Sequence, residues 1–132
     1  MARTSKAACI DAAAGDVYAE ACPSRAVLAL VADKWTLLIM PALRDGPQRN
    51  SELMRRIGGV SQKMLTQTLR ELERNGLVQR IDYAEVPPRV EYALTELGRS
   101  LAATIQKLDA WCEANMSAVQ RARETFDGQA PV

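Results

Sequence analysis

The sequence predicts a mainly α (α+β) fold: a series of short helices, one two-stranded β hairpin and a long closing helix. Three observations predict it. Apolar residues recur every three or four positions through most of the chain, the spacing of helices with one buried face. Two short alternating runs, residues 77–83 and 89–94, flank a Pro87-Pro88 pair that suits a hairpin tip. Glycines stand where the helical periodicity stops, at Gly46, Gly58-Gly59 and Gly76.

The elements follow in order. Residues 1–20 are rich in alanine and small polar side chains and read as a flexible N-terminal arm. Pro23 fits the first turn of a helix whose apolar face is Ala26, Val27, Leu30 and Val31. A second helix opens at Asp33-Lys34-Trp35 and stops before Asp45-Gly46-Pro47. Pro41 lies inside it and must kink it or remove one of its hydrogen bonds. Asn50 is the expected cap of a short third helix, with Glu52 near its positive end and Leu53, Met54 and Ile57 inward. Ser61 caps a fourth helix that runs to Asn75-Gly76. On it Leu65, Leu69 and Leu72 share one stripe, while Lys63, Gln67, Arg70 and Arg74 lie opposite with Thr66 beside them.

In the hairpin, Leu77, Ile81 and Tyr83 are expected on one face of the first strand, with Val90, Tyr92 and Leu94 inward on the second. Thr95 caps the long last helix. Its stripe is Leu97, Leu101, Ile105, Leu108, Cys112 and Val119, with Trp111 alongside. A stripe on a terminal helix needs a covering surface, and a second copy of the chain is the simplest one. The expected organisation is therefore an arm over 1–20, a central unit over 21–95 and a dimerisation helix over 96–127, in one domain-sized chain of 132 residues. The tail from residue 128 is expected to fray.

Composition narrows the chemistry. There is no histidine, which excludes a Ser-His-Asp or Cys-His catalytic unit and any His-ligated metal. Three cysteines at wide, irregular spacing (Cys9, Cys22 and Cys112) are neither a disulfide framework nor a CxxC zinc site, and point to a reducing, cytoplasmic setting. No continuous apolar stretch follows the N-terminal charges, so no signal peptide is expected, and no segment is apolar enough to span a membrane. No cofactor is expected.

The 17 Lys+Arg and 16 Asp+Glu leave a net charge of +1, but they are unevenly spread. Residues 1–43 are neutral, residues 44–74 carry seven basic and four acidic side chains, and residues 75–132 carry six basic and eight acidic. The excess of +3 coincides with the third and fourth helices, the footprint expected where phosphates dock. Two short helices, a polar and basic outer face on the second, and then a proline-tipped hairpin describe a winged helix-turn-helix. In that motif the second helix enters the major groove and reads base edges.

The run Cys22-Pro23, Lys34-Trp35-Thr36-Leu37-Leu38-Ile39, Gly46-Pro47, Ser51-Glu52-Leu53, Ser61-Gln62-Lys63-Met64-Leu65-Thr66-Gln67-Thr68-Leu69-Arg70-Glu71-Leu72, Gly76-Leu77-Val78, Val86-Pro87-Pro88-Arg89-Val90-Glu91-Tyr92, Leu94-Thr95 and Gly98 resembles the HxlR-type family of bacterial winged-helix transcriptional regulators. The resemblance covers about residues 22–111. It implies a homodimer joined through terminal helices and bound to a palindromic double-stranded DNA operator, here expected to act as a repressor. It also implies redox or electrophile sensing through Cys22, with a small-molecule oxidant or electrophile as signal. Two positions depart from the family's pattern: Asn50 stands where an aromatic is usual, and Pro41 is unusual in the second helix.

Geometry assigns the expected contacts. Ser61, Gln62, Lys63, Thr66 and Gln67, near the start of the fourth helix, are placed to reach DNA. Lys pairs best with guanine O6/N7 and Gln with adenine N6/N7; Arg70 suits either base or phosphate. Arg49, Ser51 and Arg89 are better placed for phosphate or minor groove. Arg55 and Arg56 serve equally well as solubilising charges. Cys22 precedes a helix start and Arg25 lies three residues on, both of which favour a thiolate. A ligand pocket near Trp35, Tyr92 and Trp111 competes with an ordinary core role for those aromatics, which is the commoner role at such positions. Two other classes compete with the DNA reading: a thiol-dependent enzyme using Cys22, and a protein-interaction module built on the hairpin and last helix.

Overall fold

The computed structural model describes residues 18–129. Residues 1–17, with Cys9 and most of the expected arm, lie outside the described residues, as do 130–132. The elements are α1 (Pro23–Val31), α2 (Lys34–Ala42), α3 (Asn50–Arg56), α4 (Gln62–Arg74), β1 (Val78–Asp82), β2 (Val90–Leu94) and α5 (Glu96–Asp127). The expected mainly α fold with a two-stranded wing and a long last helix is what forms.

Local chemistry sets most boundaries. The Asp33 carboxylate accepts from the amides of Trp35 and Thr36 at 2.9 and 3.3 Å and so starts α2. Pro41 falls in the last turn, where it removes one backbone bond, and α2 ends at the next residue. The cap of α3 differs from expectation. Arg49, not Asn50, holds the N-cap position, and its amide donates to the Glu52 carboxylate at 2.8 Å. Asn50 has become the first helical residue because Glu52 reaches back to the amide one position earlier.

The core gathers Ile39, Met40, Leu53, Leu65, Leu69, Leu72, Val78, Leu94 and Ile105 from α2 to α5 and both strands. Helix α1 contributes little: none of its residues is buried, and Val27 and Leu28 are about half exposed. β1 and β2 pair antiparallel, with Val78 opposite Leu94 and Asp82 opposite Val90. This corrects the expected strand face. Val78 and Leu94 point into the core, while Ile81 and Tyr83, three and five positions on from Val78, fall on the other face. Leu77 is buried as well, but it precedes the strand, where the chain leaves α4. A third extended segment joins the sheet edge: Gln48 exchanges two backbone hydrogen bonds with Tyr92, at 2.9 and 2.8 Å.

The junction between α4, the wing and α5 is close. The Thr95 hydroxyl donates to the Gly76 carbonyl at 2.6 Å and accepts from the Gly98 amide at 3.0 Å, and the Thr95 amide donates to the Leu77 carbonyl. A Cβ on Gly98 would collide with the Leu77 carbonyl oxygen and lie 2.9 Å from its carbon, so only glycine lets α5 cross there. Beyond this crossing, α5 buries only Ala102 and Ile105. Its 32 residues make a rod of about 48 Å. Along the distal half Leu108, Trp111, Met116, Val119 and Phe126 are exposed.

Candidate nucleic-acid interface

Helices α3 and α4 are joined by a turn through Gly58 and Gly59, and Gly59 adopts a φ of +84° that favours glycine. Ser61 then caps α4, its hydroxyl accepting from the Met64 amide at 3.1 Å. One side of α4 is locked down. Leu65, Leu69 and Leu72 are fully buried, and the Thr68 hydroxyl donates to the Met64 carbonyl at 2.8 Å. The other side presents Gln62, Lys63, Thr66, Gln67, Arg70 and Arg74 to solvent. The same 3.6-residue period that buries the leucines fixes this outer face.

The outer face has a definite arrangement. The Gln62 amide donates to the Thr66 hydroxyl at 3.1 Å, an i,i+4 pair that orients both at the helix start. Arg74 is paired with Glu71 at 3.4 Å, both exposed. Among the described residues no ion pair involves Lys63 or Arg70. Their charges stay available to an outside anion. Arg49 and Ser51 stand exposed at the start of α3, on the same helix–turn–helix unit. Arg55 and Arg56 are exposed in its last turn, where basic side chains favour the negative helix end.

Arg89 sits differently. It lies toward the tip of the wing, just before β2, partly covered, between Glu85 and Glu91 and over the ring of Tyr83. Sequence reading missed this cluster because it depends on which residues oppose each other across the hairpin. The signal was present in the pairing of an aromatic near the end of one run with a cation at the start of the next.

Cys22 is the N-cap residue of α1, 2% exposed and disulfide-bonded. The sequence reading, which saw no disulfide framework, did not anticipate that bond. Arg25, expected to favour a Cys22 thiolate, donates to the Tyr18 carbonyl at 3.4 Å. Cys112 is a free, exposed thiol on α5. The three aromatics weighed as a pocket do not form one: Trp35 and Tyr92 pack on the core, while Trp111 lines a shallow cleft on distal α5 with Cys112 and Met116. Among the described residues no helix is long and apolar enough to cross a membrane.

Comparison with known proteins agrees with this geometry. A model of the HxlR-like helix-turn-helix family matches residues 30–120. The HTH-type transcriptional regulator YtfH of Escherichia coli (strain K12) is 48% identical over 110 residues, covering 83% of this chain and 87% of that protein. The solved structure of transcriptional regulator ytfH from Salmonella typhimurium superimposes with a TM-score of 0.79 at 48% identity, over 83% of this chain and 98% of the other. The redox regulator HypR in its reduced form gives a TM-score of 0.70 at 37% identity, over 75% of this chain and 98% of the other. The chain therefore belongs to the HxlR-like helix-turn-helix family.

Proposed function

We propose that this chain is a sequence-specific DNA-binding transcriptional repressor that acts as a homodimer on a palindromic operator. The observation that carries the reading is α4: three leucines wholly buried on one side, and on the other an exposed polar face whose Lys63 and Arg70 have no ion-pair partner among the described residues. Gln62, Lys63, Thr66, Gln67 and Arg70 read bases, while Ser61, Arg49 and Ser51 hold phosphates beside them. The exposed distal stripe of α5 supports dimerisation, since an apolar face of that length is stabilised by a second copy. The naming of relatives as transcriptional regulators sets aside the thiol-dependent enzyme. The test is selection from fragmented genomic DNA followed by footprinting. Two protected half-sites are expected roughly 34 Å apart, with log K falling against log salt by about 0.9 per phosphate contacted. Recovery of no DNA with salt-dependent affinity would overturn the reading.

The same reading includes a redox response through Cys22. Its disulfide state at the start of α1, and the similarity to a protein named as a redox regulator, support it. Oxidation removes two protons and two electrons from a pair of thiols, and diamide accepts them to become the hydrazine. The sulfur at the N-cap then constrains how α1 begins. Diamide-treated protein is expected to bind its operator more weakly than reduced protein, by roughly 5- to 150-fold, the usual range of coupling between two sites. Cys22→Ser should abolish the difference, with Cys9→Ser and Cys112→Ser run in parallel. Equal affinity in two verified redox states would remove Cys22 from the mechanism.

A further inference from the structure

Arg89 is engaged before any DNA arrives. Its guanidinium carbon lies 4.1 Å from the centroid of the Tyr83 ring. Nη1 is 3.7 Å from a Glu85 carboxylate oxygen and Nη2 is 3.5 Å from Glu91. Nε is buried and finds no acceptor among the described residues. Tyr83 closes the circuit: its hydroxyl donates to Glu91 at 2.8 Å, and its amide donates to the Arg89 carbonyl at 3.0 Å.

The register explains the meeting. With Asp82 opposite Val90, the next pair outward is Tyr83 and Arg89, and Glu91 is the diagonal neighbour on the same face. That face is turned away from Val78 and Leu94 and so from the core. A planar guanidinium suits the site because it stacks on an aromatic ring and still reaches two carboxylates through separate nitrogens. The charge balance argues the same way. Residues 78–94 hold two cations, Arg80 and Arg89, against Asp82, Glu85 and Glu91. A hairpin with more carboxylates than cations does not draw phosphates by its field.

We infer that Arg89 is a positioning residue of the wing: clamped on Tyr83 between Glu85 and Glu91, it fixes the pose of the hairpin instead of neutralising a DNA phosphate. This rests on the DNA-binding reading above. It assigns the wing a contribution through shape and places the phosphate contacts on α3 and α4. The phenol of Tyr83 fits the clamp. Donation to Glu91, some desolvation and the negative charge of that carboxylate hold it above its ordinary value, with Arg89 pulling the other way.

Two measurements decide it, one without DNA. By hydrogen exchange, Arg89→Ala and Arg89→Lys should both speed exchange at the Tyr83 amide while amides of α4 keep their protection. In a spectrum of labelled tyrosine, Tyr83 should titrate higher in Arg89→Ala than in the parent, because the attracting cation has gone. Unchanged exchange and titration would overturn the clamp. With the footprinted DNA, Arg89→Ala should raise Kd about fivefold if the competent wing pose falls to about a fifth of the population. The slope of log Kd against log salt should stay that of the parent, and Arg89→Lys should fail to restore affinity. A slope shallower by about one, with affinity restored by lysine, marks a phosphate contact and overturns the inference. Failure of the parent to bind DNA would overturn the DNA reading instead, leaving the exchange and titration results to judge the clamp.

Discussion

With Lys63 and Gln67 both replaced by alanine, operator binding weakens about a thousandfold, taking each lost base contact as worth roughly 2 kcal/mol. Both side chains stand on the exposed side of α4, one helical turn apart, and neither contributes to the buried cluster. Removing them takes donors away from base edges without touching the leucines beneath. The melting temperature should therefore hold, since exposed substitutions of this kind cost within about 0.5 kcal/mol. Fluorescence anisotropy with the footprinted duplex, beside a thermal melt, separates the two effects. Discrimination should fall with affinity: the double variant should bind operator and scrambled duplex with similar strength. Parent-like binding by a folded double variant would move the reading surface off α4.

Leu69→Ala attacks the opposite side of the same helix. Leu69 is wholly buried in the cluster that includes Leu65, Leu72, Ile39 and Leu53. Truncating a leucine in such a site costs roughly 2–5 kcal/mol, through lost burial and the cavity left behind. That is a large fraction of the 5–15 kcal/mol typical of a domain. The expected result is a melting temperature lower by about 10 °C, given about 3–4 °C per kcal/mol for a chain of this size. Below that melt the outer face of α4 still carries its contacts, so operator affinity at low temperature should fall far less than in the double variant. A melt within about 1 °C of the parent would mean that the site relaxes around the alanine and that α4 is not anchored as described.

What could be read from the sequence, and what could not, divides by range. Ser61 and Thr95 were legible as caps because each bonds an amide three residues on. The Leu65, Leu69 and Leu72 stripe was legible because one helical period decides both its faces. The proline-tipped hairpin was legible because proline cannot donate to a ladder. The errors lie where distant or competing partners decide. Asn50 lost the cap to Arg49 because Glu52 reached one residue further back. Tyr83 faces away from the core because the core phase was set by Val78 meeting Leu94. The Gln48–Tyr92 pairing joins residues more than forty positions apart, and no local pattern announces it. Arg89 looked like any surface arginine until the register brought Tyr83, Glu85 and Glu91 around it.

The crossing at Gly98 has a mechanical consequence. Helix α5 is held to the Leu77 backbone at one point near its start and to the core for only two turns more. From Gly98 to Asp127 the helix runs about 44 Å at 1.5 Å per residue. It is a lever with a short arm against the root of the wing and a long arm in solvent. A tilt of about 5° at the pivot moves the far end by about 4 Å, on the scale of one helical turn. Read in reverse, a displacement imposed on the distal half arrives at Leu77 much reduced in distance and correspondingly increased in force. Leu77 lies three residues past the end of α4 and directly precedes β1, so α4 and the wing share the fulcrum.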